Sequence, residues 1–137
     1  MEDYSRYLIR DYNYWSVQVH TNQGYLGRCI IWCKRENILD LADARKGEQE
    51  ELFMILEKLK RALKKSFQVD WFNYAFLGNE TMHLHGHVVP RYASPREFAG
   101  VTFVDERYGH NYQTDKNFVT SPALLEAVRI KIKENLE

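Results

Sequence analysis

The chain has no net charge: 19 Lys and Arg are matched by 19 Asp and Glu. Without an excess of either sign it has no long-range field to draw in bulk nucleic acid or an acidic membrane, and neither is expected as a partner. Long apolar runs are missing too, and nothing approaches the ~20 residues that cross a bilayer as a helix. The opening Met1-Glu-Asp-Tyr-Ser-Arg6 is polar and has no apolar core of a secretion signal. Cysteine is scarce. Cys29 and Cys33 stand four apart in an apolar stretch, so on a strand they share a face roughly 13 Å from one another at ~3.3 Å per residue, too far for a disulfide. They are expected to be buried, reduced thiols of a cytoplasmic protein. Repeats, low-complexity tracts and linkers are absent. One domain spanning residues 1–137 is the economical expectation, large enough to bury a core without disulfides or a structural metal.

Aromatic residues are plentiful, 14% of the chain with nine tyrosines. Residues 1–14 show no period and read as a short helix or an arm. Trp15 to His20 alternates apolar and polar, as a half-buried strand does. Thr21-Asn22-Gln23-Gly24 is a turn by composition. Gly27 to Cys33 is almost wholly apolar and predicts a central strand, the hairpin partner of the first. Lys34 to Gly47 is a polar connection with a hint of helix at Leu39, Leu41 and Ala42. From Glu48 to Phe67, Leu52, Leu56, Leu59 and Leu63 recur at helical spacing, flanked by Phe53 and Ile55. Acidic residues lead this helix and basic ones close it, matching the helix dipole.

Asp70 to Leu77 predicts a third strand, and His83 to Val89 a fourth, halted by Pro90 and antiparallel to the third across a short loop. Residues 92–120 are polar and irregular. Ser121 and Pro122 make a good helix start, and Leu125, Val128, Ile132 and Leu136 give the terminal helix its apolar stripe. The expected class is α+β: an antiparallel sheet, one main helix packed on it and a C-terminal helix.

One stretch carries chemistry. In His83-Leu84-His85-Gly86-His87 the histidines alternate strictly, so on a strand they line one face. A metal is one reading, since imidazoles suit zinc and a zinc-dependent hydrolase would follow. Same-face neighbours are ~6.5–7 Å apart at the backbone, however, so His83 and His87 converge poorly and a further ligand such as His20 or His110 would be required. Nucleophilic catalysis is the second reading. A neutral imidazole attacks phosphorus well when its other nitrogen is tied down, and neighbouring histidines can donate to anionic oxygens. Elsewhere, His20 and His110 read as isolated structural or solvent-facing histidines, though His110 in Tyr108-Gly109-His110-Asn111-Tyr112 could belong to a lid. Arg28 and Arg91 read as strand ends near solvent, with phosphate contact the alternative.

His83-Leu-His85-Gly-His87-Val-Val-Pro-Arg91 resembles the motif of the histidine triad (HIT) family, His-x-His-x-His followed by two apolar residues and Pro-Arg. The hairpin through Gly27, the acidic-led helix and the Asn73 strand are similar in order, so the resemblance runs from about Trp15 to Arg91. It implies a hydrolase acting at the α-phosphate of a nucleotide conjugate, a dinucleoside polyphosphate or nucleoside phosphoramidate, through a nucleotidyl-histidine intermediate. Carried over by position, His85 is the nucleophile, His87 contacts phosphate oxygens and His83 supports the network around the nucleophile. Asn73, Asn79 and Asn22 are the implied substrate-binding amides. The family implies a homodimer and no required cofactor, with Mg2+ possible alongside a polyphosphate; a non-catalytic nucleotide-binding module is an alternative. Three residues depart from the pattern: Gly86 replaces a bulky apolar residue, Arg28 stands where many members carry histidine, and Glu80 where a hydroxyl is frequent. Transferases of the wider superfamily tend to replace the third histidine, so His87 favours hydrolysis.

Overall fold

The computed structural model describes residues 5–137. Its strands are β1 (Leu8–Asp11), β2 (Trp15–Val19), β3 (Cys29–Cys33), β4 (Trp71–Ala75), β5 (His85–Arg91), β6 (Arg96–Phe98) and β7 (Val101–Phe103). The helices are α1 (Lys46–Phe67) and α2 (Pro122–Asn135). The first five strands form one sheet in the order β1-β2-β3-β5-β4, and every neighbouring pair is antiparallel. β3 is therefore central, as its unbroken apolar run predicts.

Side-chain alternation divides this sheet into two unlike faces. Val17, Val19, Cys29, Ile31, Cys33 and Val88 are buried together with Leu52, Ile55, Leu59 and Leu63 of α1 and Val128 and Ile132 of α2. Each fully buried aliphatic side chain contributes about 1.5–3 kcal/mol of transfer free energy. The opposite face presents Ser16 and Gln18 of β2, Ile30 and Trp32 of β3, and His85 and His87 of β5, in register across the three strands. Its polarity is the first sign that this face does something other than pack.

Helix α1 turns its stripe slightly from the expected one. Ile55, not Leu56, completes the buried line, and Phe53 is 70% exposed. In α2, Ser121 caps Leu124 N at 3.1 Å, and Leu124 rather than Leu125 is the buried first-turn residue. Cys29 and Cys33 are free and buried, and burial pushes both thiols up from their ordinary pKa, so neither is poised to react.

Several sequence expectations need correction. Of the first fourteen residues, 1–4 lie outside the described residues, and from Ser5 onward the chain forms a single 3-10 turn and then β1, not a helix or an arm. Four residues with an irregular register against β2 are too short to show a period. The irregular 92–120 stretch contains the β6–β7 hairpin, whose Ala99-Gly100 turn takes positive φ at both residues (50° and 78°). Alanine is not a residue that announces such a turn. Finally, β5 begins at His85 and runs through Pro90 to Arg91. β3 ends its pairing at Val88 and only β4 continues beside Pro90, where one flank of the strand needs no donor.

Candidate active site

The histidine row is a bent line leaning on one indole. His83 lies just before β5, its ring stacked on Trp32 at 4.2 Å between centroids; His85 stacks on the same indole at 5.6 Å. His87 meets His85 edge-on at 5.3 Å. Trp32 reaches both rings because β3 places it directly opposite His85.

Hydrogen bonds fix the rings. The Nδ1 of His85 lies 2.6 Å from the carbonyl oxygen of His83, and a carbonyl can only accept. His85 therefore carries its proton on Nδ1 when neutral, and Nε2 holds the free lone pair. His83 Nε2 donates to the Cys33 carbonyl, which ties the residue before the strand to the end of β3. His87 Nδ1 lies 3.2 Å from Arg28 Nη2 and must accept, since a guanidinium has no lone pair to offer.

Two residues expected elsewhere join this face. His20 continues the Ser16, Gln18 alternation past β2, and its ring stands 5.5 Å from that of His87. Its Nδ1 accepts from Asn22 N at 2.9 Å. Burial, then the Arg28 charge and the neighbouring imidazole, pull His20 down to about 3 and His87 down to about 4. Arg28 is 4% exposed, not at a solvent-facing strand end. It donates to Thr114 Oγ1 at 2.7 Å and lies over the Tyr112 ring at 5.2 Å. The period-two pattern contains His20, but only the β2-β3-β5 order brings it to the row.

Arg91 is likewise buried, at 3%, and it fastens segment 105–111 to the sheet. Its guanidinium grips Asp105 through two bonds of 2.7 and 3.0 Å and donates to the carbonyls of Arg107 and His110. Asn73, on the histidine face of β4, accepts from Arg91 at 2.7 Å. Asn22 spans a local turn, accepting from Gly24 N and donating to the Asp115 carbonyl, both at 2.9 Å. Asn79 is exposed in the loop before the row. Of the three amides, Asn73 shares the sheet face with the histidines, Asn22 adjoins His20, and Asn79 stands apart. His110 is exposed, and its carbonyl, rather than its ring, ties it to the sheet.

Gly86 has its counterpart on the core face. A Cβ built there would run into the ring of Phe76, so the Phe76 ring occupies the room a side chain at 86 would need. A cavity of about 660 Å³ opens between Tyr25, Phe103, Asp105 and the 113–118 segment, lined by none of the three histidines, and another of about 280 Å³ is lined by Asn73, Arg91 and residues 108–111. No group of three His, Cys, Asp or Glu among the described residues is placed to hold a metal ion.

Known proteins resemble this chain in sequence and in fold. The chain is 31% identical over 71 residues to a bis(5'-adenosyl)-triphosphatase of Saccharomyces cerevisiae, a match covering 48% of this chain and 34% of that protein. It thus spans about a third of that relative's length. Among solved structures, a histidine triad protein of Marinobacter aquaeolei superposes with a TM-score of 0.76 at 18% identity, over 95% of this chain and 90% of that one. Another from Bradyrhizobium japonicum gives 0.74 at 18%, again over 95% and 90%. These likenesses establish a common fold. The HIT domain family matches residues 8–94, β1 through the triad strand and beyond, and the chain belongs to that family.

Proposed function

We propose that this protein is a nucleotide hydrolase that cleaves at the α-phosphate of a nucleotide conjugate, with His85 as nucleophile. The observation that carries the reading is the bond from His85 Nδ1 to the His83 carbonyl. It holds the ring in one orientation and, in the neutral ring, leaves the lone pair on Nε2, which a nucleophilic imidazole requires. The Nε2 lone pair forms a bond to phosphorus as the bond to the leaving group breaks; water then attacks the same phosphorus, the P–N bond breaks with its pair returning to Nε2, and the proton that water gives up passes to solvent. His87 offers its remaining N–H to a phosphate oxygen, and His83 keeps the backbone carbonyl that orients His85 in place. Asn73, Asn79 and Asn22 are the proposed amide contacts to substrate, Asn73 from within the sheet face and the others from loops.

Likeness over part of a bis(5'-adenosyl)-triphosphatase supports dinucleoside polyphosphates as the first substrates to try. No step in this scheme calls on a metal, and Mg2+ would enter as the companion of a polyphosphate. The free edge of β4, with Trp71 65% and Tyr74 43% exposed, is the proposed seam of a homodimer. Residues 1–137 are proposed to act as one HIT-like domain in the cytoplasm, without a nucleic-acid or membrane partner. No described helix is long and apolar enough to cross a membrane.

The test is a single turnover with diadenosine polyphosphate labelled at the α-phosphorus, quenched in base. Wild type is expected to carry an acid-labile labelled adduct that His85→Ala lacks, with turnover falling by at least about 10³-fold. Turnover without any adduct would sink the covalent scheme. Loss of turnover to a chelator, with stoichiometric zinc present, would support the metal alternative; nucleotide binding without turnover would make the protein a binding module.

A further inference from the structure

Arg28 is a buried cation with an unusual set of neighbours. Its Nη1 is spent on Thr114, its Nη2 on His87, and its Nε is buried without a partner. No carboxylate pairs with it among the described residues, although taking a charge out of water ordinarily demands one. The titratable and polar groups around His87 are Arg28 just before β3, His20 beyond β2, His85 on its own strand, and Tyr112 and Thr114 on the guanidinium. None of these is an anion that would favour a protonated ring.

Arginine has donors only. A histidine whose Nδ1 receives a guanidinium N–H must keep that nitrogen bare, and its single proton sits on Nε2. We infer that Arg28 is a positioning residue that pins His87 as a neutral Nε2–H donor, so that the site selects leaving groups able to depart as phosphate anions. The inference rests on the hydrolase reading above and narrows its substrate class.

The chemistry follows from electron bookkeeping at the first step. When His85 Nε2 bonds to the α-phosphorus of a polyphosphate, the bridging P–O bond breaks. Its electron pair stays on the bridging oxygen, which departs as part of a stable phosphate anion, so no proton is required. In a phosphoramidate the breaking bond is P–N, and the pair lands on an amine nitrogen that must be protonated to leave. A neutral imidazole N–H can hydrogen-bond to a phosphate oxygen yet is far too weak an acid to supply that proton. The site therefore stabilises the phosphoryl group and leaves amine departure unassisted.

Two measurements test this. In uniformly 15N-labelled protein, the His87 ring is expected to show a bare Nδ1 and a protonated Nε2 from pH 5 to 7.5, with no titration in that range. Arg28→Met should raise the His87 titration from about 4 toward the ordinary value, stopping short of it because burial remains, while Arg28→Lys, which keeps the charge, should hold it down. In parallel, kcat/KM for diadenosine polyphosphate is compared with that for adenosine phosphoramidate. Below pH 6.5, Arg28→Met should move the ratio toward the phosphoramidate by at least about tenfold, modest beside the ~10²–10⁴-fold that a positioned proton donor contributes. Thr114→Val, which loosens the guanidinium without removing it, should shift both readouts the same way by less and serves if Arg28→Met does not fold. A wild-type His87 that takes up its proton between pH 6 and 7, or an Arg28→Met protein with unchanged ring state and ratio, would overturn the inference. Absence of turnover and of a His85 adduct would instead sink the hydrolase reading, leaving the ring titration to decide the role of Arg28.

Discussion

Two buried arginines flank the working stretch of this sheet, and they are provisioned in opposite ways. Arg91 sits in a complete shell: a bidentate Asp105, the Asn73 amide and two backbone carbonyls. Arg28 has a hydroxyl, an imidazole and the face of a tyrosine, and its buried Nε has no partner. Both are almost entirely out of water, at 3% and 4% exposure. The first is a fastening whose charge is balanced within the protein. The second carries a charge beside the histidines that no carboxylate among the described residues pairs with.

The same substitution at both places should separate these roles. Arg91→Met strands the Asp105 carboxylate in the interior and releases segment 105–111, and is expected to cost about 3–5 kcal/mol in urea unfolding. A cost below about 1 kcal/mol would show that the two arginines are not different in kind.

Acid should act first at the Arg28 end, and by less. Folded His87 and His20 hold their pKa values near 4 and 3, below the ordinary 6.5. As pH falls the unfolded chain takes up these protons first, so the stability they contribute is complete above about 6.5 and is lost progressively toward 4 and 3. Urea midpoints measured from pH 7 to 4 should decline over this window. The decline should be shallower in Arg28→Met, which lacks the second of the causes depressing both rings. At pH 7, finally, Arg28→Met should change stability by no more than about 1 kcal/mol, since it removes an uncompensated cation and leaves no buried partner charge behind. A loss of the size expected at Arg91 would make Arg28 a structural residue.

How far such contrasts can be read from a sequence depends on the range of the interaction. The two helices, the β2–β3 hairpin and the histidine row are local patterns, and the structure keeps them within a few residues of their expected bounds. The pairing of β4 with β5 also followed from a short loop. The roles of Arg28, Arg91 and His20 hang on partners far along the chain, Thr114, Asp105 and His87 respectively. The neighbouring residues do not reveal these partners. An arginine at the end of an apolar strand reads as a surface residue until a distant loop is seen to cover it. β1 and the β6–β7 hairpin escaped for a different reason: three or four residues are too few to display a period, and Ala99 hides a turn that asparagine or aspartate would have advertised.

Among the three departures from the family motif, Gly86 is the one with a mechanical consequence. The strand bearing His85 is supported from behind by an aromatic ring borrowed from the chain just after β4, in place of a side chain of its own. Position 86 and position 76 are therefore one volume shared between two strands. A larger residue at 86 is admissible only if residue 76 shrinks, and a shift of the β4 edge is felt one peptide bond away from His85.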